Sequence, residues 1–320
     1  MKKRIRFSLC LSAFVFLSFH PAFAAEKFPT KPLSFIIPAS PGSGADIMAR
    51  ELSVIAEKYV GQRLLVVNKP GGSGLVALQA VLDQPADGHT LFIPTRSIPP
   101  VVLNMTKNAT ISHKDFEYIM CMAGDYFLLS VNAASPFKTL EAFVEHGKKN
   151  PNTLKVGGTF LGSTHYLIFT LFAKAAGFKA SWVPFKSSGD AVVAIAGGHV
   201  DAAISNPETL SAQLDAKKIR ILASTSANRI YPDVPTFKER GYDLVELQWR
   251  GLMVKKGTPP EVVAKLHDVF HKSMQEPKFK NFLTNAKLAE YYLPGPEFTR
   301  LVDDEMKKVK ETLVEAGVSK

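Results

Sequence analysis

Apolar runs alternate with small-residue loops and helical-period stretches along nearly the whole chain. After Pro29-Thr30-Lys31-Pro32, an apolar run at 33–37 is broken by Pro38 and the small-residue loop 39–46, which predicts a strand followed by a loop. Met48, Leu52, Ile55 and Tyr59 then recur at helical spacing and Gly61 stops the pattern, predicting a helix over 47–60. An apolar run at 64–67, a second glycine loop at 68–74, an apolar helix through Leu82, the turn Asp87-Gly88 and the run 90–93 complete a β-loop-α-β-loop-α-β order. Continuous apolar strands alternating with helices predict an α/β fold with a parallel-rich sheet covered on both faces.

A second set begins at 127–131. It continues with a helix over 139–149, a strand at 154–156, a loop at 157–164 and a helix to Ala176. Beyond that, the pattern predicts a strand at 182–185, a short helix ending at Gly197-Gly198, a strand at 200–204, a helix over 207–216 and a strand at 219–223. The run 251–254 predicts another strand. Thr258-Pro259-Pro260-Glu261 reads as a helix start with Thr258 as N-cap and Glu261 closing a capping box, and a last helix runs from about 296 to 316. There are no internal repeats or low-complexity linkers. Two lobes are therefore expected to be joined by short crossings near 125 and 250.

The first residues change the picture of where the chain works. Lys2, Lys3, Arg4 and Arg6 precede an apolar stretch at 7–19 and the small-residue pattern Ala22-Phe23-Ala24, which predicts a Sec-type signal peptide over 1–24 and a periplasmic mature protein. That stretch is shorter than the roughly 20 residues of a membrane span, and no later segment approaches that length. Cys10 leaves with the signal, so Cys121 is the single cysteine of the mature chain and an internal disulfide is excluded.

Composition adds less. With 320 residues, 46% hydrophobic and 21% charged, the chain is an ordinary folded protein, which excludes disorder, collagen and a disulfide scaffold. The formal charge of +10 falls to +6 once the four basic residues of the signal are gone. That suits an anionic partner, but the basic residues are dispersed and the export signal leads away from nucleic acid.

The loop at 41–46 is the first chemical candidate, because a strand-to-helix glycine turn offers backbone N–H groups to an anion at the positive end of a helix dipole. Gly42-Ser43-Gly44 lacks the third glycine of a dinucleotide fingerprint, Ile47 standing in its place, and no Gly-Lys-Ser/Thr follows. A smaller anion such as a carboxylate remains. Asp46 serves as a helix cap, yet it would repel that anion unless Arg50 balances it. The loop at 159–164 is similar, so the two loops could face each other as a pincer. Ser163 and His165 lack the Gly-x-Ser-x-Gly context of a nucleophile, and no histidine pairs in a His-Glu-x-x-His pattern. His89 and His199, beside turn glycines, are expected to face solvent. No catalytic residue, metal ligand or cofactor is assigned.

Several ordered blocks carry a family likeness. Pro-Thr-Lys-Pro-Leu (29–33), Pro-Ala-Ser-Pro-Gly-Ser-Gly-Ala-Asp-Ile-Met-Ala-Arg (38–50), Gly-Gln-Arg-Leu-Leu-Val-Val-Asn-Lys-Pro-Gly-Gly-Ser-Gly (61–74) and Pro-Ala-Asp-Gly-His-Thr-Leu (85–91) open the series. Val-Pro-Phe-Lys-Ser-Ser-Gly-Asp-Ala-Val (183–192), Gly-Gly-His-Val-Asp (197–201), Tyr-Pro-Asp-Val-Pro-Thr (231–236) and Lys-Gly-Thr-Pro-Pro (256–260) continue it. In this order they resemble the Bug-type substrate-binding proteins of tripartite tricarboxylate transporters, over essentially all of the mature chain. The resemblance implies a two-lobed periplasmic binding protein with a cleft between lobes and the second lobe inserted in the first, so that 25–125 with 251–320 form lobe 1 and 126–250 form lobe 2. It also implies that a carboxylate of a small organic acid is held between Ser40 to Asp46 and Thr159 to Thr164, partly by backbone N–H groups and bridging waters.

The departures from the family pattern bear on the ligand. Ala39 and Ala45 replace the usual Phe and Thr of the first loop, Ser205 replaces an Asp, and Tyr166 replaces a His. Thr95-Arg96-Ser97 follows the third strand where a small residue is common, and Arg250 follows Trp249 where an aromatic is common. Two arginines gained and a carboxylate lost predict a positive cleft in which Arg96, Arg250 or both meet a second acidic group. The candidate ligand-binding residues are Ser40, Pro41, Gly42, Ser43, Gly44, Ala45, Asp46, Thr95, Arg96, Ser97, Thr159, Phe160, Gly162, Ser163, Thr164, Phe185, Ser205 and Arg250. The function expected is a monomeric solute receptor that delivers a small organic anion, a di- or polycarboxylate, aromatic or not, to the membrane subunits of a tripartite tricarboxylate-type transporter. An exported hydrolase using the same cleft and a ligand receptor for a sensor kinase are the alternatives.

Overall fold

The computed structural model describes residues 28–106 and 110–315. The signal peptide expected over 1–24, Cys10 within it and the expected end of the last helix at 316 lie outside the described residues. The elements run in the order β1 (Leu33–Ile37), α1 (Gly44–Val60), β2 (Leu64–Asn68), α2 (Leu75–Leu82), β3 (Thr90–Phe92), α3 (Pro100–Met105), β4 (Phe116–Tyr126), β5 (Leu128–Asn132), α4 (Leu140–Lys149) and β6 (Lys155–Gly158). They continue with α5 (Thr164–Ala176), β7 (Ser181–Pro184), α6 (Ser188–Ala196), β8 (Ala202–Ser205), α7 (Pro207–Asp215), β9 (Ile219–Ser224), β10 (Leu247–Lys255), α8 (Pro260–Gln275), α9 (Pro277–Asn285), β11 (Ala289–Pro294) and α10 (Gly295–Glu315).

These strands form two sheets, ordered β11-β4-β10-β3-β1-β2 and β7-β6-β8-β5-β9. Both sheets are mixed. β1 is parallel to β2 and β3, as the alternating pattern predicts, but β10 runs antiparallel to β3 and β4, and β11 antiparallel to β4. In the second sheet β6 is parallel to β7 and β8, while β5 is antiparallel to β8 and β9. The antiparallel pairs come from the strands that carry the chain out of one sheet and back again, a long-range pairing invisible to local periodicity.

Each sheet buries both faces. In β1, Phe35 and Ile37 pack toward α1, α8 and α9, whereas Ile36 packs toward α2 and the ring of Phe298 on α10. The second sheet has α4 and α5 on one face and α6 and α7 on the other. Val101, Leu167, Val309 and Leu313 form a further cluster that packs α5 against α3 and α10, so apolar contact joins the two sheet units.

The chain passes from the first sheet to the second through the single residue Phe127 and returns through residues 225–246. These two crossings are bonded together. The Phe127 N–H donates to Thr225 Oγ1 at 2.9 Å, Thr225 N–H donates to Phe127 O at 2.9 Å, and Thr225 Oγ1 donates to Glu246 O at 2.7 Å. The boundary expected at 250 falls inside β10, whose whole length pairs with β4.

Two local expectations are corrected. Thr258 is not the N-cap of α8: the helix starts at Pro260 after Pro259, and the Thr258 hydroxyl donates to Lys255 O at 2.8 Å. Pro260 disfavours the helical conformation at the residue before it, and Pro259 accordingly stays extended at ψ 136°, so the helix cannot begin one residue after Thr258. His89 does not face solvent; it is buried edge-on against Phe28, with ring centroids 4.8 Å apart, and its Nε2 accepts the Thr30 N–H. His199 is exposed, as expected.

Gly251 of β10 lets Phe298 lie on the sheet. A methyl group there would fall on the Phe298 ring and 2.6 Å from the Met120 carbonyl oxygen. Gly251→Ala is therefore expected to destabilise the protein by about 1–3 kcal/mol, read as a lower midpoint in urea unfolding; an unchanged midpoint would contradict this packing.

Candidate functional site

Four helices begin at one place between the sheets. The N-caps of α1, α5 and α6 are Ser43, Ser163 and Ser187, each accepting a backbone N–H from its own first turn. Asn206 stands at the start of α7. Residues from these starts, with Thr95 and Ser97 after β3 and Gln248 and Arg250 on β10, line a narrow cleft of about 50 Å³. The positive ends of four helix dipoles thus point into a buried space, which favours an anion there.

The first-strand loop is held by Asp46. Its carboxylate accepts from the Gly42 N–H at 2.9 Å, from Arg50 Nε and Nη2 at 3.0 and 2.8 Å, and from Asn68 Nδ2 at 3.0 Å. Burial pushes this carboxyl up, but Arg50, Gly42 and Asn68 together hold it below its ordinary value. Asp46 therefore shapes the loop and offers no oxygen to a ligand. Across the cleft, the Ser97 hydroxyl accepts the Thr164 N–H and donates to Thr164 Oγ1, both at 3.0 Å, and so links the β3 loop to the start of α5.

A buried polar chain runs along the cleft floor. Thr159 Oγ1 lies 3.0 Å from His165 Nδ1, and His165 Nε2 lies 2.8 Å from Asn206 Oδ1. Asn206 Nδ2 donates to Asp125 Oδ2 at 2.5 Å, and Arg250 Nη2 donates to Asp125 Oδ2 at 2.8 Å and to Glu208 Oε1 at 2.5 Å. Because Asn206 Oδ1 can only accept, His165 carries its proton on Nε2 and takes the Thr159 hydroxyl on Nδ1. Burial pulls the His165 imidazole down to about 4, so it is neutral at physiological pH. Burial pushes the Asp125 carboxyl up and, with the neighbouring Glu208 charge adding to it, outweighs the pull of Arg250, so that its pKa stands well above the usual carboxylate range.

The structure gathers some of the expected site residues and scatters others. Ser43, Gly44, Ala45, Thr95, Ser97, Thr159, Phe160 and Arg250 line the cleft. Ser40, Pro41 and Gly42 form the outer part of their loop, with Pro41 and Gly42 exposed. Gly162, Ser163 and Thr164 build the turn into α5, where the Ser163 hydroxyl caps the helix by accepting the Tyr166 N–H, while the two ring nitrogens of His165 are engaged by Thr159 and Asn206. Phe185 lines a neighbouring outer cavity of about 280 Å³ together with Phe160 and the second glycine loop. Ser205 is fully buried at the end of β8 and does not line the cleft.

Arg96 corrects the charge argument. It is 2% exposed, its Nε donates to Glu305 on α10 at 2.8 Å, and its Nη1 pairs with Glu246 in the return crossing. Desolvation works against its charge, yet these two carboxylates raise its pKa. Arg250 is likewise held by Asp125 and Glu208. Two arginines are thus met by four carboxylates, and the cleft lacks the surplus of positive charge expected from the sequence. His165, Ser188, Asn206 and Gln248 line the cleft without having been expected. Their signal in the sequence is position: each lies at a predicted helix start or beside Arg250.

These features match known proteins. A family model described as Tripartite tricarboxylate transporter family receptor matches residues 48–318. The chain belongs to this family. A UPF0065 protein from the gbd 5' region of Cupriavidus necator is 32% identical over 92% of this chain and 90% of its own length. Protein BugT of Bordetella pertussis is 30% identical over 92% of both chains. Among solved structures, a periplasmic transporter superposes with a TM-score of 0.87 at 29% identity, and an R. palustris protein with adipate superposes with 0.87 at 26%; each covers 91% of this chain and 99% of its own. The two-lobed binding-protein fold of this family is therefore the fold of this chain, and the family is one of binding receptors rather than enzymes. Among the described residues no helix is long and apolar enough to cross a membrane.

Asp46 carries a pH signature. Its folded pKa is depressed, so its contribution is complete above the unfolded value and is lost as pH falls through the lower folded one. Asp46→Asn is expected to cost about 2 kcal/mol near neutrality, with the gap to wild type closing below about pH 4. Urea unfolding from pH 2 to 7 reads this, and a gap independent of pH would contradict the role given to the carboxylate.

Proposed function

We propose that this chain is an extracytoplasmic receptor that captures a small organic carboxylate between its lobes and delivers it to the membrane subunits of a tripartite tricarboxylate-type transporter. The observation that carries this reading is the convergence of the α1, α5, α6 and α7 starts on one buried cleft. The family membership and the adipate-bound relative support it.

In this reading the signal over 1–24 directs export to the periplasm. The lobes are residues 25–125 with 251–320 and 126–250, with β10 drawn wholly into the first. About 50 Å³ is far below the roughly 300–1,000 Å³ of ordinary small-molecule pockets, so the ligand is admitted when the lobes part. The bonded crossings at Phe127, Thr225 and Glu246 serve as the hinge. Ligand bound to both lobes then shifts the population toward the closed form that the membrane subunits meet.

A thermal-shift series over short and aromatic mono-, di- and tricarboxylates tests the reading. A true ligand at a hundredfold excess over Kd adds about 2.7 kcal/mol of stability and a clear rise in Tm. Turnover of any acid in the series by the purified protein, or a flat response to all of them, would overturn it.

A further inference from the structure

Arg250 is inside the cleft and already occupied. Its Nη2 holds Asp125 Oδ2 and Glu208 Oε1, and the side chains of all three residues are 2% exposed or less. Arg250 and Asp125 come from neighbouring strands of the first sheet, whereas Glu208 reaches across from α7. The Glu208 carboxylate also lies against the first turn of α1, since a methyl group on Gly44 would collide with Glu208 Oε1 and stand 2.5 Å from Arg250 Nη2. Both positive features at this end of the cleft, the guanidinium and the start of α1, are thus met by a carboxylate of the chain itself. A ligand carboxylate placed here would set a third acid beside one guanidinium in a buried site, where like charges repel strongly.

The unused hydrogen-bonding atoms indicate what fits instead. Arg250 Nε and Nη1 are buried donors without partners, and Asp125 Oδ1 and Glu208 Oε2 are buried acceptors without partners. A neutral group that both accepts and donates would serve both sets, as a primary carboxamide does.

We propose that Glu208 sets the ligand specificity of the cleft: it takes the place of a second ligand carboxylate, so the preferred ligand is a monocarboxylate whose far end is a neutral, amide-like group. This rests on the carboxylate-receptor reading and narrows it.

Calorimetry on matched pairs of equal length tests the assignment: succinamate with succinate, glutaramate with glutarate, adipamate with adipate, and 4-carbamoylbenzoate with terephthalate. Wild type is expected to bind the amide acid of a pair about tenfold or more tighter than the diacid. Glu208→Gln keeps the shape, removes the charge, and is expected to shrink that ratio about tenfold or reverse it. A wild type that prefers the diacid, or a ratio unmoved in Glu208→Gln, would overturn the assignment while leaving the receptor reading intact. If neither member of any pair binds either protein, both fall together. Should Glu208→Gln fail to fold by circular dichroism, the wild-type ratio still decides, because a preference for the diacid is incompatible with the place given to Glu208.

Discussion

The site is organised around one guanidinium shared between two sheet units. Arg250 bonds Asp125 within its own sheet and Glu208 from the other, and Asp125 is in turn bonded to Asn206 at the start of α7. Burying a charge is costly unless it is paired and hydrogen-bonded, so these side chains must stay together wherever the two units close on each other. The geometry of the cleft floor follows. His165 is fixed in one tautomer by Asn206, Thr159 is fixed by His165, and Gly44 stays without a side chain because Glu208 lies against it.

Around this floor the fold performs two separate tasks. Four helix starts add a positive field to a cleft whose one lining arginine, Arg250, is already paired with Asp125 and Glu208. The paired crossings supply a narrow connection in which Phe127, Thr225 and Glu246 are hydrogen-bonded to one another, while the Phe127 ring is anchored in the core of the second sheet. Arg96 belongs to this second task. By joining Glu246 to Glu305 it ties the return crossing to α10, so a residue that reads as a ligand contact is held by two carboxylates of the chain itself.

The two arginines show why charge counting along a sequence overreaches. Arg96 and Arg250 are departures from the family pattern toward positive charge, yet their partners, Glu246, Glu305, Asp125 and Glu208, lie as far as 209 residues away in the chain. None of these four acids is marked by a motif. Only the folded chain shows that each arginine is paired with two acids, and that one of them, Glu208, lies against Gly44 at the start of α1.

Local signals were enough for most of the architecture. The strand at 33–37, the helix after Gly44, the second glycine loop and the alternation from Leu128 to Ser224 are legible because side-chain periodicity and glycine or proline punctuation are short-range properties. The ordered blocks also carried the family, and two of the loops that reach the cleft were visible as strand-to-helix turns rich in small residues. What the tertiary structure alone decided is non-local. β4 and β11 find their places only by pairing with β10 and with each other, which makes the first sheet mixed, as the antiparallel β5 does the second. The starts of α6 and α7 join the cleft only because the second sheet brings them there, and Arg250 meets Glu208 only where the two units touch. The sequence by itself determined which segments could cradle an anion; the tertiary structure decided which charges remain to receive one, because pairing depends on distance in space and not on separation along the chain.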